Sequence, residues 1–423
     1  MSFRFRWRYC LYFVALFAVI VREHLARLIT YTTFATHAGL CPTFATELKG
    51  KSIVFASILH DAEQVFPYWR TSTMTFVDCA LRFGVKRVTV SVWSNGNTDS
   101  TTEELRTLAR DLLGLHYGSD RLGYAIMDDG ELPDDIAEAE RITKLAYIRN
   151  LAIDQVSDAM SESDALIFVN DVIFSPSDAA TLLADFFAPP SAVKRPMIVC
   201  ALDFAYTFYD VWVARDAEGQ RLSGFFPYIS GPSEQRHRAL AGESFEVAGC
   251  WNGLLVMDAR IYAENRLRFR VARSPLSSGE VTSGECAPSS ESLLICLDYW
   301  RTPQSAGRSV LINPGVKVYY DPLYFAIGKL THPVLEWGLW LTAKIQDATS
   351  FGSYDEHTAD LRENLVQMTC TKMPDWKLRH AIAVTAWMAA GLVAGIFATR
   401  RLWTRRFTYI SLNKKCVKDI HET

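Results

Sequence analysis

Short continuous apolar runs alternate with amphipathic stretches through the first half of this chain. "KSIVFASILHD" (Lys51 to Asp61) is β-rich and ends on polar residues. "PYWRTSTMTFVDCALRFG" reads as a helix closed by Gly84. "VKRVTVSVWSNGNTDS" is a strand that runs into a Gly/Asn turn. "TTEELRTLARDLLG" opens on Thr with Glu following, a good helix start, and Gly114 ends it. "DDIAEAERITKLAYIRNLAIDQV" predicts another helix, "SDALIFVND" a third strand and "RPMIVCALDF" a fourth.

Strands alternating with helices predict an α/β domain built on a mostly parallel sheet. Such strands are covered on both faces and read as unbroken apolar runs, as these do. Ligands on such sheets bind beyond the carboxyl ends of the strands. The chain puts polar residues at those ends: Ser57, Ser94-Asn95-Gly96, Asn170-Asp171 and Asp203. "SPLSSGEVTSGECAPSSES" (Ser274 to Ser292) is Ser/Gly-rich and predicts a mobile loop, and no internal repeat is evident.

The two ends carry a different pattern. Arg4, Arg6 and Arg8 precede an apolar run from Tyr9 to Val21, the arrangement of a signal anchor or of a cleaved signal peptide. Ala381 to Ala398 contains no charge and is just long enough to span a bilayer, or to be a buried Ala-rich helix. Arg400, Arg401, Arg405 and Arg406 follow it. If both runs span, the positive-inside rule puts both basic ends in the cytosol and residues 25–378 in the lumen of the secretory pathway. The expected organisation is a basic flank and anchor over 1–24, a stem over 25–48, a catalytic domain over 49–330 and an extension over 331–380. A transmembrane helix over 381–398 and a basic cytosolic tail over 399–423 complete it.

Composition narrows the function. The 423 residues are ample for a large domain, and a net charge of -3 gives no reason to expect a nucleic-acid partner. Aromatic residues make up 12%, which suits sugar-binding rings or a dense core equally. Nine cysteines lie scattered, with no CxxC pair or Cys/His cluster to suggest zinc. Seven of them, Cys41 to Cys370, would be lumenal, where disulfides form, but spacing does not assign partners. There is no N-x-S/T sequon and no GxxxxGK[ST] loop.

Candidate chemistry sits at the strand ends. Asp171, in "ALIFVNDVIFSP", is a carboxylate at the ligand edge and a candidate oxygen ligand for Mg2+ or Mn2+. A plain Asn-Asp turn has the same appearance. In "YIRN", Arg149 could clamp a phosphate or pair with a neighbouring carboxylate. In "FYDVWVARD", a strand would put Asp210 and Trp212 on one face, with the ring for a sugar's C–H face and the acid for its hydroxyls. Trp251 and Asn252 in "CWNG" are candidate donor or acceptor contacts, and Gly253 would allow close backbone approach. Asn95 is either a nucleotide contact or part of a plain turn. His60 and His116 stand alone and read as turn or surface residues.

The order of several blocks resembles a known family. "SVWSNGNTDST", "KLAYIRNLAI", "IFVNDVIFSP", "ALDF", "FYDVWVARDAEG", "FFPY", "CWNGLLVMDA", "LRFR", "SESLLICLD" and "INPGVKVYYD" follow in register from about Ser52 to Asp321. They resemble the fungal capsule-associated α-1,3-mannosyltransferases, the cryptococcal mannosyltransferase family. The resemblance implies a GT-A-like fold, a Golgi membrane anchor, and transfer of mannose from GDP-mannose to a mannoside with a divalent metal. It makes Asp171 the metal or diphosphate contact; from the residues themselves, Asp210 or Glu291 is the expected group to orient or deprotonate the acceptor hydroxyl. Ser57, Asn95, Arg149, Asn170 and Asp203 become donor contacts; Trp212, Trp251 and Asn252 become sugar contacts. The chain departs from the family pattern at Ser94, where an acid is usual, and at Ser292, where a Cys follows the Glu. Those departures keep two rivals open: a non-catalytic sugar-binding or scaffolding member, and a transferase using another nucleotide sugar.

Overall fold

The computed structural model describes residues 39–188, 194–205, 207–229, 233–272 and 290–349. The expected anchor over 1–24, most of the Ser/Gly-rich loop, and the apolar run and tail after 380 lie outside these residues. Among the described residues no helix is long and apolar enough to cross a membrane.

The chain opens with β1 (Ser52–Leu59), α1 (Phe66–Phe83), β2 (Arg87–Ser94), α2 (Thr101–Gly114) and β3 (Leu122–Met127). Gly84 closes α1 at φ 112°, a left-handed conformation that suits a residue without Cβ. The stretch expected as one helix after β3 is two, α3 (Asp134–Ala137) and α4 (Arg141–Asp154), and a short α5 (Ser157–Ser161) follows it. Then come β4 (Ala165–Val169), α6 (Pro176–Phe187), β5 (Arg195–Ala205) and the two-residue β6 (Thr207–Phe208). The second half adds α7 (Glu234–Ala241), β7 (Phe245–Glu246), β8 (Leu254–Asp258) and α8 (Ala259–Glu264). It closes with α9 (Glu291–Trp300), β9 (Arg308–Tyr319) and α10 (Pro322–Thr349). Thus α10 runs through the boundary expected at 330.

The strands form one sheet in the order β3-β2-β1-β4-β8-β5-β9-β7, with β6 on β5. Pairing is parallel from β3 to β4, as the alternation predicts. Beyond that point the sheet is mixed: β8 enters antiparallel between β4 and β5, and parallel pairing resumes between β5 and β9, so the sheet stays mostly parallel as expected. A strand in that slot reverses the local chain direction and starts at the edge where β4 and β5 end. The strand expected as third is fourth: "LGYAIM" forms β3, an edge strand whose partly exposed side chains break the apolar run.

The core fills both faces of the sheet; β4 and β8 are buried at every position. Phe44 and Leu48 join that core, and a disulfide ties Cys41 to Cys79 on α1, so the domain begins before residue 49. A second disulfide joins Cys200 on β5 to Cys250, just ahead of β8.

Candidate active site

Four segments converge at one edge of the sheet. Val169, the last residue of β4, pairs with Leu254, the first of β8. The Asn170 amide donates to the Gly253 carbonyl at 2.8 Å. Asp203 on β5 pairs with Val318 on β9, and Ile173 bridges Tyr319. Gly253 sits at φ 74°, and an added Cβ would lie 3.1–3.2 Å from Val172, Val318 and Asp203. The glycine expected to allow close approach does so between strands.

The site has two layers. Asn170, Asp171, Tyr209, Asp210 and Tyr320 are half-buried and line the edge. Beneath them Arg149, Asp203, Trp251, Asn252 and Glu291 are buried. The lower layer positions the upper. The Asn252 side chain donates to Ala201 O at 2.9 Å, and its backbone N–H points at Asp210 Oδ2 at 3.5 Å. Asp203 accepts the Asp210 N–H at 3.2 Å and the Tyr320 hydroxyl at 2.6 Å. The rings of Tyr209 and Tyr320 stand 4.7 Å apart.

Arg149 is enclosed. Its Nη1 donates to Glu291 and to Ser292 Oγ. Its guanidinium lies 4.4 Å from the Trp251 ring centre and faces Phe269 at 5.7 Å. Burial lowers its pKa, while Glu291 and Asp210 oppose that. Of the two roles open to Arg149, pairing with a carboxylate is the one seen; it is committed within the fold and does not face the edge.

Several expected contacts are therefore corrected. Trp251 is 1% exposed and packed edge-on against Phe269 at 5.2 Å, so it is core and offers no ring face to a sugar. Asn252 is a brace for Asp210. Residues 211–213 form a turn, which removes the shared strand face expected for Asp210 and Trp212, and Trp212 is itself buried. Ser57 is fully buried, in register with Val169 at the end of β4, and offers no exposed hydroxyl to a ligand. Asp203 is fully buried and acts on the edge through Asp210 and Tyr320. Glu291 is the first residue of α9, after the N-cap Ser290, and pairs with Arg149, so it supports the site from below. Asn95 offers its backbone carbonyl to His60 Nδ1 at 2.9 Å.

The two departures from the family pattern have local roles. Ser94 donates to Leu59 O at 2.7 Å and accepts from Asn97, bracing the turn after β2. Ser292 accepts from Arg149. Neither departure leaves a gap that would argue against catalysis.

Sequence reasoning gave no role to Tyr320 or Arg141. Tyr320 stands in the quoted "VKVYYD", but only the fold shows that it meets Asp203. Arg141 opens α4, and its charge reaches Asp171.

The electrostatics follow from crowding acids in a poorly hydrated place. Burial pushes the Asp171 carboxyl up to about 6, and Arg149, Arg141 and His60 pull it back. Burial pushes Asp210 up to about 6 as well. Asp203 is raised well above the usual range by burial and then by Asp210.

The sequence match decides the family. A profile described as cryptococcal mannosyltransferase 1 matches residues 52–298, more than half of the chain and all of the edge up to β9. The chain belongs to the cryptococcal mannosyltransferase family. Among solved structures, the chain is similar to GalNAc-T7 with UDP, GalNAc and Mn2+ at 11% identity and a TM-score of 0.33, over 76% of this chain and 55% of that one. It is similar to S. aureus TarS at 12% identity and 0.33, over 71% and 44%. It is also similar to a mannosyl-3-phosphoglycerate synthase from Rubrobacter xylanophilus at 11% and 0.25, over 50% and 55%. The chain spans about half the length of the first two, and at these scores the likenesses carry no argument. A search of curated proteins returned no match.

For a metal, the donor set is sparse. Among the described residues no group of three or more His, Cys, Asp or Glu is placed to hold an ion. Among the described residues the Asp171 carboxylate at the edge has no side-chain partner. That fits an ion of the Mg2+ type, which keeps its waters and binds through one or two carboxylates plus substrate phosphates.

Proposed function

We propose that this mannosyltransferase moves mannose from GDP-mannose to a mannoside hydroxyl in α-1,3 linkage, with retention at the anomeric carbon. The observation that carries this reading is the pair of half-buried carboxylates at one sheet edge, Asp171 and Asp210, the second of them held by buried Asp203 and Asn252. Retaining glycosyl transfer needs negative charge near an oxocarbenium-like centre and a group to take the acceptor proton. Asp210 serves both needs: Asn252 and Asp203 hold it from below, and its raised pKa makes it a better base than an exposed carboxylate. Asp171 would hold a Mg2+ or Mn2+ ion, which when bound would offset charge on the diphosphate. Asn170, beside it, shares in holding the donor.

The reaction belongs to capsule or cell-surface glycan synthesis, on the lumenal side of a Golgi or other secretory membrane. Two disulfides support an oxidising compartment. Membrane anchoring rests on the apolar runs of the sequence.

The test is sugar transfer by the full chain, with GDP-mannose and other nucleotide sugars, Mn2+, and an α-mannoside acceptor. Mannose transfer that disappears in Asp171→Ala is expected. Transfer from a uridine-linked donor alone would replace the donor assignment. Full activity in the variant would overturn the metal assignment.

A further inference from the structure

With Arg149 enclosed by Glu291, Ser292 and Trp251, the site lacks the cation that sequence reasoning had offered to a phosphate. The need for one is acute. A nucleoside diphosphate brings at least two negative charges to an edge that already presents Asp171 and Asp210. A single divalent ion on Asp171 cannot balance all of these.

The fold supplies a second cation. Helix α4 packs on β1 and β2 of the sheet. Its far end is fastened there: Ser91 donates to Ala152 O, and Gln155, just past the helix, donates to Val92 O at 3.0 Å. Arg149 lies midway, at the lower layer of the site. Arg141 is eight residues nearer the start, about 12 Å farther out along the axis. Its side chain is exposed, and no ion pair or hydrogen bond occupies it among the described residues. Its charge nevertheless bears on Asp171, Tyr209 and Arg149.

We propose that Arg141 is the protein's own ligand for the diphosphate of the donor, closing on it from the start of α4 opposite Asp171. A guanidinium presents a planar fork that matches two phosphate oxygens at once, which a lysine cannot reproduce. One helix thus carries two arginines with divided labour: Arg149 holds the buried base of the site and Arg141 meets the substrate. This role rests on the reading that the site takes a nucleotide sugar.

Calorimetric titration of the full chain with GDP, UDP and GMP in Mg2+ separates the possibilities. In Arg141→Ala, affinity for whichever nucleoside diphosphate binds the unaltered chain should fall about 10- to 100-fold, the range of a charged hydrogen-bonded contact. Affinity for GMP should change less than about threefold, and Arg141→Lys should recover part of the loss. The unfolding midpoint of Arg141→Ala should match that of the unaltered chain, since the side chain is exposed. Diphosphate affinity within about twofold of the unaltered chain would overturn the role, as would an equal loss for GMP. An unaltered chain that binds neither GDP nor UDP would instead overturn the donor reading, and the role with it.

Discussion

The guanidinium of Arg149 lies 4.4 Å from the centre of the Trp251 ring while its Nη1 donates to Glu291. Both partners are buried, so this is an ion pair roofed by an indole, beneath the carboxylates that face the edge. Removing one member of a buried pair leaves the other charge uncompensated. Arg149→Ala should therefore lower stability by about 3–5 kcal/mol, measured by chemical denaturation. A variant of unchanged stability with only a raised donor KM would show instead that Arg149 is a phosphate ligand.

Asp171 makes the opposite trade. Its carboxylate is held in a poorly hydrated place without a side-chain partner, which costs stability. Asp171→Asn should cut transfer by about 100-fold or more, the scale of losing charge stabilisation at the leaving group. It should also raise the unfolding free energy, on the order of 1 kcal/mol at pH 7. Kinetics and a denaturation midpoint on the same preparation read both effects. A variant that loses activity by unfolding would contradict this account.

Acid should separate activity from stability. Asp210 and Asp216 are both pushed up to about 6 by burial. Each binds its proton more tightly folded than unfolded, where the value is near 3.8. Their contribution to stability is thus fully present below about pH 4 and is lost as pH rises through 6. Activity runs the other way if ionised Asp210 is the base: kcat/KM should fall about tenfold per unit below pH 6. Asp216 accepts from the Gln220 and Glu218 amides through one oxygen, which an Asn can reproduce. Asp216→Asn should therefore flatten part of the stability profile and leave the activity profile in place. An activity profile without an acid limb near 6 would remove Asp210 from the base role.

The Cys200–Cys250 disulfide fastens β5 to the segment that carries Trp251 and Asn252, and it spans 50 residues of chain. Loop-closure entropy for that span is worth about 4 kcal/mol. Replacing both cysteines with Ala should lower stability by roughly that amount and reduce activity, because Asn252 would no longer brace Asp210 as firmly. Circular dichroism melts with and without a reductant, made in a variant that already lacks the Cys41–Cys79 disulfide, give the same comparison. An unchanged melting temperature after confirmed reduction would show that packing alone holds the segment.

Much of the edge was legible beforehand. The polar residues after β4 and within β5 stood out because they interrupt apolar runs, and Asp171 and Asp210 do reach one edge. What misled were the aromatic residues. Trp251 and Trp212 beside polar neighbours look like sugar platforms, yet side-chain type does not say which side of a loop faces inward. Ser57 misled differently: a hydroxyl near a strand end is indistinguishable in sequence from one inside the sheet.

By itself the sequence determined the elements and the family. Periodicity and capping are local, so β1, α1, β2, α2, β4 and β5 could be read from neighbours along the chain. The order of many short blocks identified the family because each preserves local chemistry. Tertiary structure alone decided how far the parallel pairing extends and which charges are spent. The antiparallel entry of β8 depends on strand partners far apart in the chain, and it brings Asn252 under Asp210. The pairing of Arg149 with Glu291 spans 142 residues and leaves Arg141 as the arginine of α4 that faces outward. Contacts of that range are set by burial and electrostatics in the folded core, where an unpaired charge is costly, and no local pattern records them.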